Sequence, residues 1–231
     1  MPRAIWSGAI GFGLVNVPVK LYTAVSRKDV RFNQLEAATG ARIQQRRVSS
    51  VSGDEVPADA IVRGYEVSKG RYVVIADEEL DAISPPASRT IAIEQFADLA
   101  ELDPVLYDSA YRAAPEKGGA RAYGLLHASL RETGRIGVGR IMLRARESLA
   151  CIRADEDHIV VHTLAWADEV VPASTIPEIS DLGRVEPTEK ERAMADLLIE
   201  SMLAPLDLTA HRDTYRDQAD SIGIVHGGSP T

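Results

Sequence analysis

Alternating apolar and polar residues near the start of the chain predict a β-hairpin. Two segments rich in β-branched and aromatic residues, 4–12 and 15–23, are separated by a glycine-containing sequence. Every second residue from position 15 to position 21 is apolar, which places these side chains on one face of a strand. Pro18 cannot donate a ladder hydrogen bond, so we expect the second strand at a sheet edge or a bulge. The pattern therefore indicates the first hairpin of a β domain.

The same criteria predict further strands and several helices along the chain. The predicted strands are residues 31–35, 64–67, 72–75, a segment starting at Thr90, and then 106–113, 135–144, 148–153 and 158–164. The predicted helices are residues 77–83, 119–131, a helix beginning at the Thr188 capping box with Glu191, and 211–222. The close spacing of the later strands favours an antiparallel sheet or barrel. We predict a mainly β fold of the α+β class.

Length and composition allow a sizeable core and limit the environment of the protein. The chain has 231 residues, of which 45% are hydrophobic. No apolar run has the length of a membrane span, and residues 1–15 lack the features of a signal peptide, so we expect a cytoplasmic protein. Cys151 is the only cysteine. An internal disulfide and a cysteine zinc cluster are therefore excluded, and we expect Cys151 to fill space within a strand.

The formal net charge of −8 hides a segregation of charge along the chain. Residues 1–50 contain eight basic and two acidic residues, and residues 111–153 contain nine and three, so each segment carries +6. Residues 51–110 and 154–231 carry −9 and −11. If the fold brings the basic segments to one surface, that surface can neutralise phosphates. If the charges interleave in space, they cancel, and the sequence leaves both arrangements open.

Motifs for enzymatic chemistry are weak. The glycines of residues 8–13 and 134–139 have the wrong spacing for a dinucleotide loop, and neither group leads into a predicted helix. His158 and His162 lie four residues apart on a predicted strand and form at most a weak metal pair, because no further ligand set is evident. No nucleophile, base and oxyanion arrangement is found. We therefore expect no catalytic activity, no cofactor, no metal and no small-molecule substrate.

Residues 3–22, RAIWSGAIGFGLVNVPVKLY, resemble the N-terminal signature of the bacterial Ku proteins of non-homologous end joining. The resemblance continues to about residue 218. It includes RGYE at 63–66, GRYVVI at 70–75, SRTIAIEQF at 88–96, LDPVLYDSAY at 102–111, AYGLLHASLRETGRIGVGRIMLR at 122–144, LAWADEV, ERAMADLLIESM and HRDTYRDQ. Almost the whole chain is covered.

The resemblance implies a Ku-like β-barrel core with an extended arm and C-terminal helices. We expect a core over residues 1–185 that includes an exposed arm at about 27–63, a helical segment over 186–222 and a disordered tail over 223–231. Two such chains are expected to form a homodimeric ring around double-stranded DNA ends without reading sequence. Members of this family recruit the ATP-dependent DNA ligase D and hydrolyse no nucleotide themselves. Because such a ring binds DNA, we expect a cytoplasmic protein associated with the nucleoid.

Two departures from the family pattern change these expectations. Many relatives carry a Cys-x-x-Cys after the basic arm, where this chain has Ser49 and Ser52. Serine hydroxyls are poor zinc ligands, so we expect no metal in the arm. Many relatives also continue into a lysine-rich tail, whereas this sequence ends in GGSPT, so we expect reduced tail contributions to DNA retention and ligase contact.

Basic residues of the two positive segments are the candidate phosphate contacts. They are Lys20, Arg27, Arg31, Arg42, Arg46, Arg47, Arg140 and Arg144. Arg140 and Arg144 share the parity of one predicted strand, and Arg146 extends this stripe if the strand continues. The main alternative is a Ku-like dimeric scaffold that binds other proteins with weak or no DNA binding. A metal-dependent hydrolase that uses His158 and His162 is the third hypothesis.

Overall fold

The computed structural model describes residues 2–83, 88–144, 146–182 and 186–227. The chain forms two compact units, one from residues 1–26 and 33–167 and the other from residues 27–32 and 168–231. The first unit contains all of the described strands. Of the tail expected to be disordered, residues 228–231 lie outside the described residues.

Seven strands of the first unit close into a barrel, and two more form a separate hairpin. In chain order the strands are β1 (Trp6–Phe12), β2 (Val15–Thr23), β3 (Arg63–Ser68), β4 (Arg71–Ile75), β5 (Thr90–Asp98), β6 (Tyr107–Pro115), β7 (Arg135–Leu143), β8 (Arg146–Ala154) and β9 (Ile159–Leu164). The barrel order is β1-β2-β6-β9-β8-β7-β5. It closes through a parallel pairing of β1 with β5, whereas its other neighbours are antiparallel. The mainly β fold is confirmed.

The position of Pro18 differs from the prediction. Strand β2 has neighbours on both sides, so the expected sheet edge is wrong. Pro18 pairs with Ala9 of β1, and pairing of β2 with β6 begins only at Val19. The proline therefore lies where no amide is needed for the second ladder, and its carbonyl accepts from the amide of Glu116 at 2.9 Å.

The barrel interior is filled by the apolar faces of the strands. Val17, Val19 and Leu21 are fully buried, as the alternation in the sequence predicts, and Ile10 of β1 is buried beside them. Val15, at the start of β2, is 40% exposed instead. Helix α2 (Ala120–Thr133) packs against the barrel through Tyr123, Leu126 and Leu130 and ends at Gly134, which has a left-handed backbone with φ 67°.

Tyr123 links helix α2 to two barrel strands. Its hydroxyl donates to the carbonyl of Ala113 on β6 at 2.7 Å and accepts from the amide of Ile159 on β9 at 2.7 Å. Burial is the main reason that the pKa of this phenol is raised. The hydroxyl satisfies two backbone groups that would otherwise lie unpaired in the core.

The described residues form four further helices. These are α1 (Asp77–Ile83), α3 (Pro177–Leu182), α4 (Glu189–Ser201) and α5 (Thr214–Gly227). The predicted capping box is confirmed, because the Thr188 hydroxyl accepts from the amide of Glu191 and the Glu191 carboxylate accepts from the amide of Thr188. Helix α5 ends at Gly227, five residues beyond its predicted end.

The arm that precedes β3 contains less regular structure than predicted. Residues 31–35 form no strand, and the segment shows only two isolated bridges, Leu35 with Arg42 and Val48 with Glu55. Residues 33–48 are exposed throughout. Too few apolar side chains are present here to bury a strand against the core.

Candidate nucleic-acid interface

Arg140 on β7 is held by two carboxylates. Its guanidinium donates to Glu94 on β5 at 2.9 Å and to Glu147 on β8 at 3.2 Å, and it lies 5.8 Å from the ring centre of Trp166. The nearby charge of Glu94, followed by that of Glu147, raises the pKa of Arg140. A cation compensated in this way contributes less to a phosphate-binding field than a free one.

The predicted arginine stripe along β7 is shorter than expected. Strand β7 ends at Leu143, and Arg144 lies in the turn with a left-handed φ of 52° and an exposed side chain. Arg146 opens β8 opposite Leu143, so it does not extend the stripe and that extension is wrong. Arg144 forms no ion pair within the described part of the chain.

Lys20 lies on β2 with its side chain directed away from the barrel core. Its ammonium group is 3.4 Å from the carboxylate of Glu116, and both side chains are partly exposed. A pair of this kind is weakened by salt and exchanges readily with other ions. Lys20 therefore remains accessible, but its charge is shared with an acid on the neighbouring segment.

The arm arginines Arg42, Arg46 and Arg47 differ in their partners. Arg46 forms an ion pair with Glu55 at 3.0 Å, whereas Arg42 donates to the neutral side chain of Asn33 at 2.6 Å and keeps its net charge. Arg47 is exposed and has no ion pair among the residues that the structure describes. Of these three arginines, Arg42 and Arg47 keep an uncompensated charge among the described residues.

Arg27 and Arg31 belong to the second compact unit together with the C-terminal segment. Both side chains are exposed, and neither forms an ion pair within residues 2–83, 88–144, 146–182 and 186–227. They are grouped with the arm by sequence alone. Their role as phosphate contacts remains a prediction.

The β3–β4 hairpin carries two cations that sequence reasoning overlooked. Lys69 and Arg71 lie at the turn of this hairpin, are exposed, and form no ion pair in the described residues. The candidate contacts were taken from the segments with net positive charge, and residues 51–110 are strongly acidic as a whole. The signal was the local sequence Ser-Lys-Gly-Arg, in which a glycine-containing turn places both basic residues at one end of the hairpin.

The two histidines of the weak metal hypothesis have other partners. His162 on β9 accepts from the Nε of Arg153 at 3.2 Å, and burial, followed by the Arg153 charge, lowers the pKa of this histidine. His158 precedes the strand and is paired through Nδ1 with Asp157 at 2.7 Å. Among the described residues, no group of three or more His, Cys, Asp or Glu side chains converges as a metal site.

Cys151 on β8 lies in the apolar interior. Its side chain is fully buried, and burial raises the pKa of the thiol to about 11. The predicted role as a space-filling residue in a strand is confirmed.

In the part of the chain that the structure describes, no helix combines the length and apolar character needed to cross a bilayer.

Comparisons with known proteins agree with this architecture. The family model described as Ku70/Ku80 beta-barrel domain matches residues 11–194. The chain is 44% identical over 219 residues to the non-homologous end joining protein Ku of Anaeromyxobacter sp. (strain K), covering 94% of this chain and 73% of that protein. It is 40% identical to the protein of the same name from Archaeoglobus fulgidus, covering 93% and 84%. For the Bacillus subtilis protein of that name the identity is 36%, with 93% and 68% covered.

A similar solved structure is the SPOC domain of human PHD-finger protein 3, with a TM-score of 0.35 and 12% identity over 70% of this chain and 95% of that one. The closed seven-stranded barrel and the family match over residues 11–194 identify the fold as a Ku-type β-barrel. The chain belongs to the Ku family, whose relatives above are named non-homologous end joining proteins.

Proposed function

We propose that this protein acts in non-homologous end joining as a sequence-independent binder of double-stranded DNA ends. In this proposal two chains form a homodimeric ring that encircles the DNA and recruits the ATP-dependent DNA ligase D in the cytoplasm, at the nucleoid. The chain performs no catalysis. Because contacts to phosphates position a protein without specifying sequence, such a ring needs cations rather than groups that read bases.

The observation that carries the proposal is a Ku-type barrel with an exposed arm, in which several cations have no ion-pair partner among the described residues. Arg42 and Arg47 of the arm, Arg144 of the β7–β8 turn and the hairpin residues Lys69 and Arg71 retain their charge. Each phosphate neutralised lowers the logarithm of the binding constant by about 0.9 per tenfold rise in salt. Several such contacts in each protomer are sufficient for strong, salt-dependent binding.

Exposed apolar surfaces support a dimer. Tyr65 and Tyr72 of the β3–β4 hairpin are 65% and 62% exposed, and neither strand contains a buried residue. Helix α4 likewise buries none of its residues, although Met194 and Leu198 lie on its apolar face. Exposed apolar surface on an element is typical of a protein–protein interface. A homodimer uses each surface twice through its two-fold axis.

The experiment that tests the arm replaces two of its arginines. Arg46→Glu together with Arg47→Glu is expected to weaken binding to several unrelated duplex sequences equally and to leave the dimer intact in analytical ultracentrifugation. The control, Lys190→Glu with Arg212→Glu, changes the net charge equally at two exposed cations of the C-terminal segment and is expected to retain binding. Unchanged affinity of the arm variant would show that these arm residues do not contact DNA.

A Ku-like dimeric scaffold with weak or no DNA binding is the second candidate. It is favoured by the net charge of −8 and by the acidic partners of Lys20, Arg46 and Arg140. A gel shift with blunt linear duplex at two salt concentrations separates the two candidates. Tight binding at low salt that falls steeply at high salt supports the DNA-binding proposal, whereas no shift at either concentration supports the scaffold.

A further inference from the structure

The arm contains one backbone motif twice, 13 residues apart. Residues 33–43 and 46–56 each form a tight turn closed by one isolated bridge, Leu35 with Arg42 in the first and Val48 with Glu55 in the second. Each turn has a glycine with a left-handed backbone, Gly40 at φ 69° and its counterpart Gly53 at φ 77°. Flanking side chains also pair at equivalent positions, Arg42 with Asn33 and Arg46 with Glu55.

The hydrogen bonds that close the two turns are equivalent as well. In the first turn, the amide of Gly40 donates to the carbonyl of Glu36 at 2.8 Å, and the amide of Glu36 donates to the carbonyl of Ala41 at 2.8 Å. The residues 13 positions later make the same two bonds at 2.9 and 2.8 Å. The repeat is therefore structural, although few residue types are shared between the two sequences.

Side-chain oxygens stabilise both turns, those of Glu36 and Thr39 in the first and those of Ser49 and Ser52 in the second. In the second turn, the Ser49 hydroxyl accepts from the amides of Val51 at 3.3 Å and Ser52 at 3.4 Å, and the Ser52 hydroxyl accepts from the amide of Asp54 at 3.3 Å. In the first turn, the Thr39 hydroxyl accepts from the amide of Ala41 at 3.2 Å and donates to the Glu36 carboxylate. The oxygens are thus engaged within their own turns.

These four positions have the spacing of a metal-ligand set but not its chemistry. Two pairs separated by two residues are the arrangement in which four thiolates or imidazoles hold structural zinc. Here the pairs are Glu36 with Thr39 and Ser49 with Ser52, which supply one carboxylate and three hydroxyls. A neutral hydroxyl is a poor ligand for zinc, and these hydroxyls already bond to backbone amides or to a carboxylate. The residues present do not fit the metal that the family resemblance suggests.

We infer that the two turns are metal-free clasps, in which side-chain oxygens close the turns that a bound metal would otherwise hold together. The local order of the arm is then independent of divalent metals and of thiol oxidation. The first test compares Ser49→Ala with Ser50→Ala, because the neighbouring Ser50 is exposed and its hydroxyl forms no hydrogen bond among the described residues.

Amide hydrogen exchange measured by NMR reports directly on the clasp. Ser49→Ala removes the acceptor of two amides and is expected to speed exchange at Val51 and Ser52 by about tenfold, whereas Ser50→Ala leaves both rates unchanged. Equal rates in wild type and Ser49→Ala would overturn the inference, since the hydroxyl would then contribute nothing to closing the turn.

A second test measures zinc. Wild type and the variant with Ser49→Ala and Ser52→Ala are incubated with zinc chloride, desalted and analysed by inductively coupled plasma mass spectrometry. The two proteins are expected to retain the same amount of zinc, and a chelator is expected to leave the exchange rates of the wild-type arm unchanged. One equivalent of zinc retained by wild type and lost by the variant would overturn the inference. Neither readout involves DNA, so both are independent of the proposed function.

Discussion

The guanidinium of Arg140 on β7 donates to the carboxylate of Glu94 on β5 at 2.9 Å, at the point where the register between these strands shifts. Glu94 lies at the bulge between Ile93 and Gln95, and this irregularity places its carboxylate beside a strand 46 residues away. Arg140 therefore joins neighbouring barrel strands. This arrangement distinguishes it from the free cations of the arm.

Arg47→Gln and Arg140→Gln are expected to affect DNA binding differently. Removing a free cation that contacts a phosphate lowers the slope of log affinity against log salt by about 0.9, so Arg47→Gln should show this change. Arg140→Gln should leave the slope nearly unchanged, because two carboxylates already offset that charge. Fluorescence anisotropy with a labelled duplex over a salt series measures both slopes. A larger decrease for Arg140→Gln than for Arg47→Gln would reverse the assignment.

Tyr123→Phe is expected to destabilise the barrel by about 1–3 kcal/mol, because the carbonyl of Ala113 and the amide of Ile159 lose a buried partner. Urea unfolding followed by circular dichroism gives the free energy of unfolding. Tyr111→Phe is the matched control, since Tyr111 lies half-buried on β6 and its hydroxyl forms no hydrogen bond among the described residues. Equal losses for both variants would show that the two bonds contribute nothing specific.

Gly139→Ala is expected to disrupt the pairing of β5 with β7. A Cβ atom at this position would lie 1.9 Å from the carbonyl oxygen of Ala92, so the strands must separate. Gly124→Ala on the exposed side of helix α2 meets no atom within 4 Å and is expected to stabilise the protein by up to about 1 kcal/mol. Thermal unfolding midpoints should therefore move in opposite directions. A midpoint of Gly139→Ala at or above that of wild type would contradict the barrel register.

Cys151 is expected to be unreactive in the folded protein. The thiol is fully buried with a pKa of about 11, so little thiolate is present at neutral pH and reagents cannot reach the sulfur. Ellman's reagent should detect no thiol in native protein and one thiol per chain in urea. Rapid stoichiometric labelling of the native protein would place Cys151 outside the core.

Local sequence signals were sufficient for the elements whose stability is local. The alternation of residues 15–21 predicted the buried face of β2, Gly134 predicted the end of helix α2, and the Thr188 capping box predicted the start of α4. Each depends on residues within a few positions of one another, so no knowledge of the strand order was needed.

Features that depend on strand order could not be predicted in this way. Pro18 indicated an edge, but the parallel pairing of β1 with β5 closes the sheet and leaves no edge in the barrel. The compensation of Arg140 by Glu94 depends on a bulge between strands that are distant in sequence. The repeated turn of the arm could not be recognised in the sequence, because its two copies share backbone hydrogen bonds rather than residue types.

Encirclement of DNA ends is the central claim, and binding to linear and closed DNA tests it most directly. A covalently closed DNA minicircle and the same minicircle cut once by a restriction enzyme are compared at one salt concentration by gel shift. Their sequence and phosphate charge are identical, so only the presence of ends differs. A ring that loads over an end is expected to bind the linear form and leave the closed circle unbound. Equal affinity for the two forms would contradict encirclement.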